Sequence, residues 1–184
     1  MTQEEWKFIN TFAPWFSAIG TILAVILSLY FSYSARKISL IINVSLFDLF
    51  QENTKETEEY ILIQITNTSY RDIIIKNFFW EFGFFKKHYI MIGFNTIDKD
   101  KSTSLPAKLK EGEMATFAIK IINDNDNYLE KFYQDFLKDS PSINIYTLKI
   151  IVCPSIGKCF KQKIDNTLQT EFIKIRNSER SQSH

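Results

Sequence analysis

Few side chains in this sequence could carry out catalysis. The chain has 2 histidines, of which His88 follows Lys86 and Lys87 and His184 ends the sequence. Neither has the partner residues that a catalytic triad or a zinc site requires. The sequence also contains no glycine-rich phosphate loop and no HExxH pattern. We therefore expect a protein that is not an enzyme, with no catalytic residue, no metal site and no cofactor.

Two further groups of residues could bind or react, and each has a simpler explanation. Cys153 and Cys159 lie on opposite sides of a predicted hairpin. They would form a disulfide in an exported domain and remain reduced thiols in a cytoplasmic one, so a disulfide in the native protein would contradict a cytoplasmic domain.

Residues 124–127 (DNDN) are similar to a calcium loop but lack its glycine and its bidentate glutamate, which favours a helix-capping loop.

Basic side chains near the carboxyl end could bind anions. The candidates are Lys158, Lys161, Lys163, Lys174 and Arg176. Together with Arg180 they outnumber the carboxylates of the same region, which are Asp165, Glu171 and Glu179. Two ligands fit such a surface, namely anionic lipid headgroups and a phosphate-bearing molecule, and the sequence does not choose between them. An ordinary solvated surface is the simpler alternative.

The remaining candidate side chains lie in an uncharged segment near the amino terminus. No charged residue occurs between Lys7 and Arg36. A helix over residues 8–35 exceeds the roughly 30 Å thickness of the hydrocarbon layer. A cleaved signal peptide is the alternative, but this start is acidic as well as basic and its apolar stretch is too long. We predict a retained transmembrane helix, with residues 1–37 forming the helix and its flanks.

Small and hydroxyl-bearing residues recur along one side of this predicted helix at heptad spacing. They are Asn10, Ser17, Thr21, Ala24 and Ser28. Three interpretations stay open: a simple anchor, a seam at which helices of a homo-oligomer pack, and the wall of a narrow pore. The segment contains no ionisable residue, which argues against a proton relay, a voltage sensor or a transporter with a charged site.

The basic residues around the segment predict its direction. Arg36 and Lys37 follow it directly, whereas Lys7 alone precedes it, together with two acidic residues. Positively charged flanks tend to stay in the cytoplasm. The expected topology is therefore single-pass, with the amino terminus outside and the carboxyl-terminal domain cytoplasmic.

The rest of the chain has the pattern of a neutral, mostly-β domain. The whole sequence has 184 residues, with 22 basic and 21 acidic side chains, so no overall charge favours nucleic acid. Alternating apolar residues predict about seven strands, over residues 38–47, 60–66, 73–85, 88–94, 114–122, 143–153 and 159–164. We predict a β-sandwich over residues 38–176, one amphipathic helix over residues 129–137, and a flexible tail over residues 177–184.

Three stretches of this domain form a recurring bacterial pattern. They are residues 61–82 (ILIQITNTSYRDIIIKNFFWEF), 105–117 (LPAKLKEGEMATF) and 145–160 (IYTLKIIVCPSIGKCF). The pattern resembles membrane-anchored β-sandwich proteins that serve as accessory or effector subunits in bacterial mobile and defence loci. In architecture the chain is similar to the channel-forming effectors of Hailong-type antiphage defence. It departs from the pattern at Asp72, Cys153 and Pro154, which weakens the transfer of a ligand role to this hairpin.

The resemblance implies a function as well as a fold. It implies a homo-oligomer in the bacterial inner membrane, with a tetramer as one stoichiometry, whose pore is held shut by a nucleotide or DNA-oligomer ligand. A partner nucleotidyltransferase would make that ligand, and infection would open the pore. The leading hypothesis is an ion-conducting membrane effector gated through its cytoplasmic β-sandwich. The rival is a non-conducting, membrane-tethered scaffold that recruits a cytoplasmic protein.

Overall fold

The chain forms two compact units, Met1–Lys37 and Ile38–His184. The computed structural model describes residues 3–50, 57–93, 95–123, 126–138 and 143–182. The first unit is a helix and the second is a mostly-β domain with antiparallel sheets. This confirms the order of the two parts that the sequence predicts.

The first unit is one long apolar helix, α1 (Gln3–Arg36). Its 26 residues from Thr11 to Arg36 are long and apolar enough to cross a membrane, judged by length and composition. Pro14 lies inside the helix, about three turns after Gln3, where its missing backbone N–H removes one hydrogen bond of the helix. The predicted single helix is therefore present, and Arg36 stands in its last turn.

The second unit is built mainly from strands. They are β1 (Leu40–Phe50), β2 (Thr57–Asn67), β3 (Ile73–Phe82), β4 (His88–Met91), β5 (Ala107–Leu109), β6 (Met114–Lys120), β7 (Ile122–Asn123), β8 (Asp126–Asn127), β9 (Lys149–Pro154) and β10 (Phe160–Lys163). One sheet has the order β1-β2-β6, and a larger one has the order β10-β9-β3-β4, with β5 also paired to β3. All of these pairs are antiparallel. Each of the seven predicted segments overlaps a strand, β7 begins at the last residue of the predicted segment 114–122, and β5 and β8 are additional.

The buried faces of the two sheets form a common core. On β3 the alternating residues Phe78, Trp80 and Phe82 are buried, and the ring of Phe78 lies 4.7 Å from that of Phe117 on β6. Side-chain alternation along this strand predicts one aromatic face that includes Phe84 as well, and burial confirms it at the first three positions. Phe84 is exposed instead. The strand ends before it because Gly83 has φ +106°, a conformation that L side chains rarely adopt.

Helices complete the domain, and two of them correct the prediction. The expected amphipathic helix is present as α2 (Tyr128–Phe132), followed by a π-helical turn (Tyr133–Leu137). Residues predicted as the start of a strand instead form α3 (Ile143–Thr147). The carboxyl end, expected to be flexible from residue 177, is helical to the end of α4 (Asn166–Gln182). Its register explains the difference, because Leu168 and Phe172 are one turn apart and both buried in the core.

Candidate functional site

The predicted polar side of α1 is exposed along its described length. Ser17, Thr21, Ala24 and Ser28 are all exposed, while the side chain of Asn10 lies outside the described residues. The hydroxyl of Thr21 donates to the backbone carbonyl of Ser17 at 2.8 Å. Because that proton stays within the helix, Thr21 can offer a neighbour or an ion only its oxygen lone pairs and its methyl group.

The opposite side of α1 is exposed and apolar. Ile19, Leu23 and Ile26 lie there, and each is more than half exposed. None of the apolar window of this helix is buried inside the chain. The length and composition of this surface suit it to crossing a bilayer.

The predicted basic surface is divided by internal ion pairs. Lys161 on β10 contacts the carboxylate of Glu81 on β3, and Lys174 on α4 lies 2.6 Å from Glu171. These two cations are therefore already paired with carboxylates of their own domain. Pairing reduces the charge they can offer to an anionic ligand.

Arg176 is also poorly placed to bind a surface ligand through its whole guanidinium. Its Nε and Nη1 atoms are buried and have no hydrogen-bond partner among the described residues. Tyr133 lies in the π-helical turn. Burial raises its pKa, as does the charge of Glu179, whereas the charges of Arg176 and Arg180 lower it. Because its charge acts on Tyr133, Arg176 lies near this turn, where α4 packs against it. Of the five predicted cations, Lys158 and Lys163 are exposed and without a described ion pair.

The two cysteines are joined in the structure. Cys153 lies one residue before the end of β9 and Cys159 directly precedes β10, with a disulfide between them and their Cα atoms 4.3 Å apart. The bond closes the hairpin loop that carries Lys158. A disulfide favours an oxidising compartment, whereas the charges of Arg36 and Lys37 favour the cytoplasm for this domain. The two observations therefore predict opposite orientations.

A buried carboxylate on the outer face of the larger sheet was not predicted as a site residue. Glu81 is only 3% exposed, and Lys161 and Lys87 both approach it, the latter at 3.9 Å. Burial alone would raise its pKa, but the hydrogen bond and charge of Lys161, with the charge of Lys87, lower it below the ordinary value. The only signal in the sequence was a lone acid in an aromatic strand.

A second charged cluster, also not predicted, joins the smaller sheet to the loop before β5. Glu58 accepts from Lys101 and from Lys120, each at 2.7 Å. The hydroxyl of the buried Tyr60 lies 2.9 Å from Glu58 and 3.1 Å from Asp98. Because every charge in this cluster has a partner, it stabilises the fold and leaves no free cation for a ligand.

The acidic loop that could be mistaken for a calcium site caps a helix. Asp124 and Asn125 lie outside the described residues, but the side chain of Asn127 accepts from the backbone amides of Leu129 at 2.9 Å and Glu130 at 3.3 Å. The loop therefore caps a helix as predicted, but the cap is Asn127, whereas the sequence favours Asn125 or Asp126. The described residues contain no group of acidic, histidine or cysteine side chains able to hold a metal ion.

A cleft of about 380 Å³ opens between β4 and α2. Met91, Tyr128 and Phe136 line it together with Lys120 and Lys131. Its two lysines are engaged, because Lys120 is paired with Glu58 and Lys131 lies 3.5 Å from Asp126. The cleft is large enough for a small molecule, but its lining does not point to one chemical class of ligand.

Comparison with known proteins adds no relative. No protein-family model matches the chain, and a search of curated proteins finds no match. Function must therefore be argued from the residues described above.

Proposed function

We propose that this protein is a homo-oligomeric effector of the bacterial inner membrane and acts in antiphage defence. Its amino-terminal helix crosses the bilayer once and, in a bundle of identical helices, lines an ion-conducting pore. The β-domain, a sandwich of two sheets, receives a ligand or a partner and thereby controls the pore. A nucleotide or DNA oligomer made by a partner nucleotidyltransferase is the proposed ligand, by the resemblance to channel-forming defence effectors.

One observation carries the proposal: a helix whose uncharged residues 11–35 are all exposed. It is apolar enough to span, no part of its apolar window is buried, and Ser17, Thr21, Ala24 and Ser28 lie on one side of it. One helix cannot enclose a pore, so conduction requires several copies. In that bundle Asn10, Ser17, Thr21, Ala24 and Ser28 face the axis, while Ile19, Leu23 and Ile26 face lipid.

The proposed orientation places the amino terminus outside and the β-domain in the cytoplasm. Arg36 and Lys37 support it through the preference of cations for the cytoplasmic side. In that reducing compartment Cys153 and Cys159 are expected as two neighbouring thiols. Of the five cations predicted to bind a ligand, Lys158 and Lys163 are exposed and have no ion pair among the described residues, so we assign to them the attraction of a phosphate-bearing ligand.

The pore is tested by potassium release from liposomes that contain the purified full-length protein. Release should be absent from the variant carrying Ser17→Leu and Thr21→Leu, because two bulky apolar side chains per helix would narrow the pore and exclude water from it. The matched control carries Ile19→Leu and Ile26→Leu on the opposite side, and release should persist. Equal release from all three proteins, or no release from any of them under every ligand condition, would contradict the proposed pore.

A non-conducting scaffold is the second candidate, and one observation favours it. Phe84 and Phe85 stand at the tip between β3 and β4 with ring centroids 5.0 Å apart, and Phe85 is 98% exposed. Exposed aromatic pairs of this kind are common at protein contacts. If the protein is a scaffold, replacing residues 8–35 with an unrelated transmembrane helix preserves its cellular function. If it is a pore, that replacement abolishes it.

A further inference from the structure

One end of the β-domain carries exposed apolar and basic side chains close to its first residues. The domain begins at Ile38, two residues after the end of α1. Two loops lie beside this start: the Tyr70 loop (residues 68–72, between β2 and β3) and the Ile156 loop (residues 155–159, between β9 and β10). The backbone amide of Thr68 donates to the carbonyl of Ser39 at 3.1 Å. Gly157 lies so close to Ile38 that a Cβ atom added there would be 3.0 Å from its Cδ1.

Both loops present an apolar side chain to solvent. Tyr70 is 75% exposed and Ile156 is 61% exposed. A tyrosine has an apolar ring with a polar hydroxyl at its end, the combination that settles at the level of lipid headgroups. An isoleucine beside it would bury its side chain just below that level.

Cations accompany each apolar side chain. Arg71 follows Tyr70, and Lys158 lies two residues after Ile156 in an exposed position. Such a cluster attracts anionic lipid headgroups, with each cation contributing about 1 kcal/mol near the surface.

Carboxylates at the same end offset part of this charge without removing it. Asp72 lies 2.9 Å from Lys108, and Glu113 accepts from the backbone amide of Lys110 at 2.8 Å. Glu111 is exposed beside them. Since Lys108 and Lys110 belong to the same end, the positive charge still exceeds the negative charge.

Hydrogen bonds fix the Tyr70 loop in its conformation. Asn67, which is fully buried, donates from its side-chain amide to the carbonyls of Arg71 at 2.8 Å and Leu109 at 3.1 Å. Its side-chain oxygen accepts from the backbone amide of Ser69 at 3.0 Å. The loop is therefore held in place before it meets any partner, so binding costs little conformational entropy.

The Ile156 loop is fixed in a comparable way. The backbone amide of Ser155 donates to the carbonyl of Ile74 at 2.7 Å, which anchors the start of the loop to β3. Both apolar tips thus project from rigid supports at the same end of the domain.

The far end of the domain provides an internal comparison. Strand β3 runs for 10 residues away from the Tyr70 loop, which places its other end about 30 Å from that loop. Phe85 stands beyond that far end and is even more exposed than Tyr70. Exposure of an aromatic ring is therefore common to both ends, whereas the Tyr70 and Ile156 loops combine an exposed large apolar side chain with proximity to the start of the domain.

We infer that the Tyr70 and Ile156 loops dock the β-domain onto the surface of the bilayer. Tyr70 and Ile156 enter the headgroup layer, while Arg71 and Lys158 contact anionic headgroups. The tether at Ile38 keeps the loops next to that surface, so weak contacts suffice for binding. This inference rests on the proposed membrane span, but it requires neither conduction nor a particular orientation.

Insertion is measured with the full-length protein in vesicles that contain brominated lipid, which quenches tryptophan fluorescence on contact. The test variants are Tyr70→Trp and Ile156→Trp, the matched control is Phe85→Trp, and the wild-type chain supplies the background of its 3 tryptophans. Each test variant should show at least about twice the additional quenching of the control, because the proposed docking places residues 70 and 156, but not residue 85, in the headgroup layer where tryptophan settles. Replacing anionic with zwitterionic lipid, or adding Arg71→Gln and Lys158→Gln, should reduce that quenching.

The outcomes distinguish a failure of membrane docking from a failure of the proposed membrane span. If the wild-type protein is released from the vesicles by alkaline carbonate, it has no membrane span and both ideas fail. If it resists extraction while Tyr70→Trp and Ile156→Trp are quenched no more than Phe85→Trp, the docking fails alone. Quenching that is independent of anionic lipid would overturn the role of the headgroups. The unfolding midpoint of each variant in detergent verifies that it is folded.

Discussion

Glu58 and Lys101 form an ion pair, with 2.7 Å between Oε2 of the glutamate and Nζ of the lysine. The pair joins β2 to the loop before β5, and Lys120 of β6 binds the other carboxylate oxygen. The hydrogen bonds from Lys101, Lys120 and Tyr60 lower the pKa of Glu58 from 4.5 to about 2. The same contacts raise the pKa of Lys101 and of Lys120.

This pair predicts a specific loss of stability in acid. Because its pKa is lowered in the folded state, Glu58 stabilises the fold fully above pH 4.5 and loses that effect as the pH falls towards 2. Its partners are partly exposed to solvent, so Glu58→Gln should lower the free energy of unfolding by roughly 1–2 kcal/mol at neutral pH. Denaturant unfolding in detergent at several pH values measures both effects. The exposed neighbour Glu59, changed to Gln, is the control, and an unaltered pH dependence in Glu58→Gln would contradict the prediction.

The contact between the two sheets predicts a large effect of one aromatic residue. Phe117 is fully buried and its ring lies 4.7 Å from that of Phe78. Phe117→Ala should lower the free energy of unfolding by about 3–5 kcal/mol, because it removes apolar contacts and leaves a cavity. The exposed Phe84, changed to Ala, should alter stability by no more than about 0.5 kcal/mol. Similar losses in the two variants would show that the assignment of buried and exposed faces is wrong.

The sequence predicted features that depend on residue spacing and missed those that depend on distant partners. The alternation of Phe78, Trp80 and Phe82 identified a buried face because side-chain direction along a strand has a period of two. The pairing of Lys161 with Glu81 joins residues 80 positions apart in sequence, and no local pattern indicates it. For the same reason the five predicted cations could not be sorted into paired and exposed ones before their neighbours were known.

Helix α4 was missed although part of its signal is local. Asp165 precedes it and accepts from the backbone amide of Asn166 and the hydroxyl of Thr167, both at 2.7 Å. Such a residue is a common helix start. Its buried side is short, with Leu168 and Phe172 as the fully covered residues, and its second half is polar. A polar second half is typical of a frayed tail when packing is not known.

The redox state of the cysteine pair tests on which side of the membrane the β-domain lies. The proposed cytoplasmic domain requires Cys153 and Cys159 to be thiols in intact cells, so acid trapping followed by alkylation should add two labels per chain without reductant. If the pair is labelled only after reduction, the domain lies in an oxidising compartment and the proposed orientation is wrong. A variant with both cysteines changed to Ser should take up no label, which establishes the background.

Two substitutions of Asn67 distinguish the hydrogen bonds that its side-chain NH2 group donates from the one that its side-chain oxygen accepts. Its amide donates to two backbone carbonyls and its oxygen accepts from Ser69. Asn67→Ala leaves these buried groups unsatisfied and should lower the free energy of unfolding by about 2–3 kcal/mol. Asn67→Asp keeps an acceptor for Ser69 but brings a carboxylate against the carbonyls of Arg71 and Leu109, so it should be the more damaging change.

Hydrogen exchange locates the effect of these two substitutions. Residues 68–72 should exchange faster in Asn67→Ala while the core strand β2 stays protected, because the lost bonds hold the loop and not the sheet. The same pair of changes at Asn177, which is exposed on α4, should leave exchange in that loop unaltered. If Asn67→Asp is tolerated better than Asn67→Ala, the amide is not the group that holds the Tyr70 loop. The loop would then not be fixed before it reaches the bilayer, and membrane docking would carry the cost of ordering it.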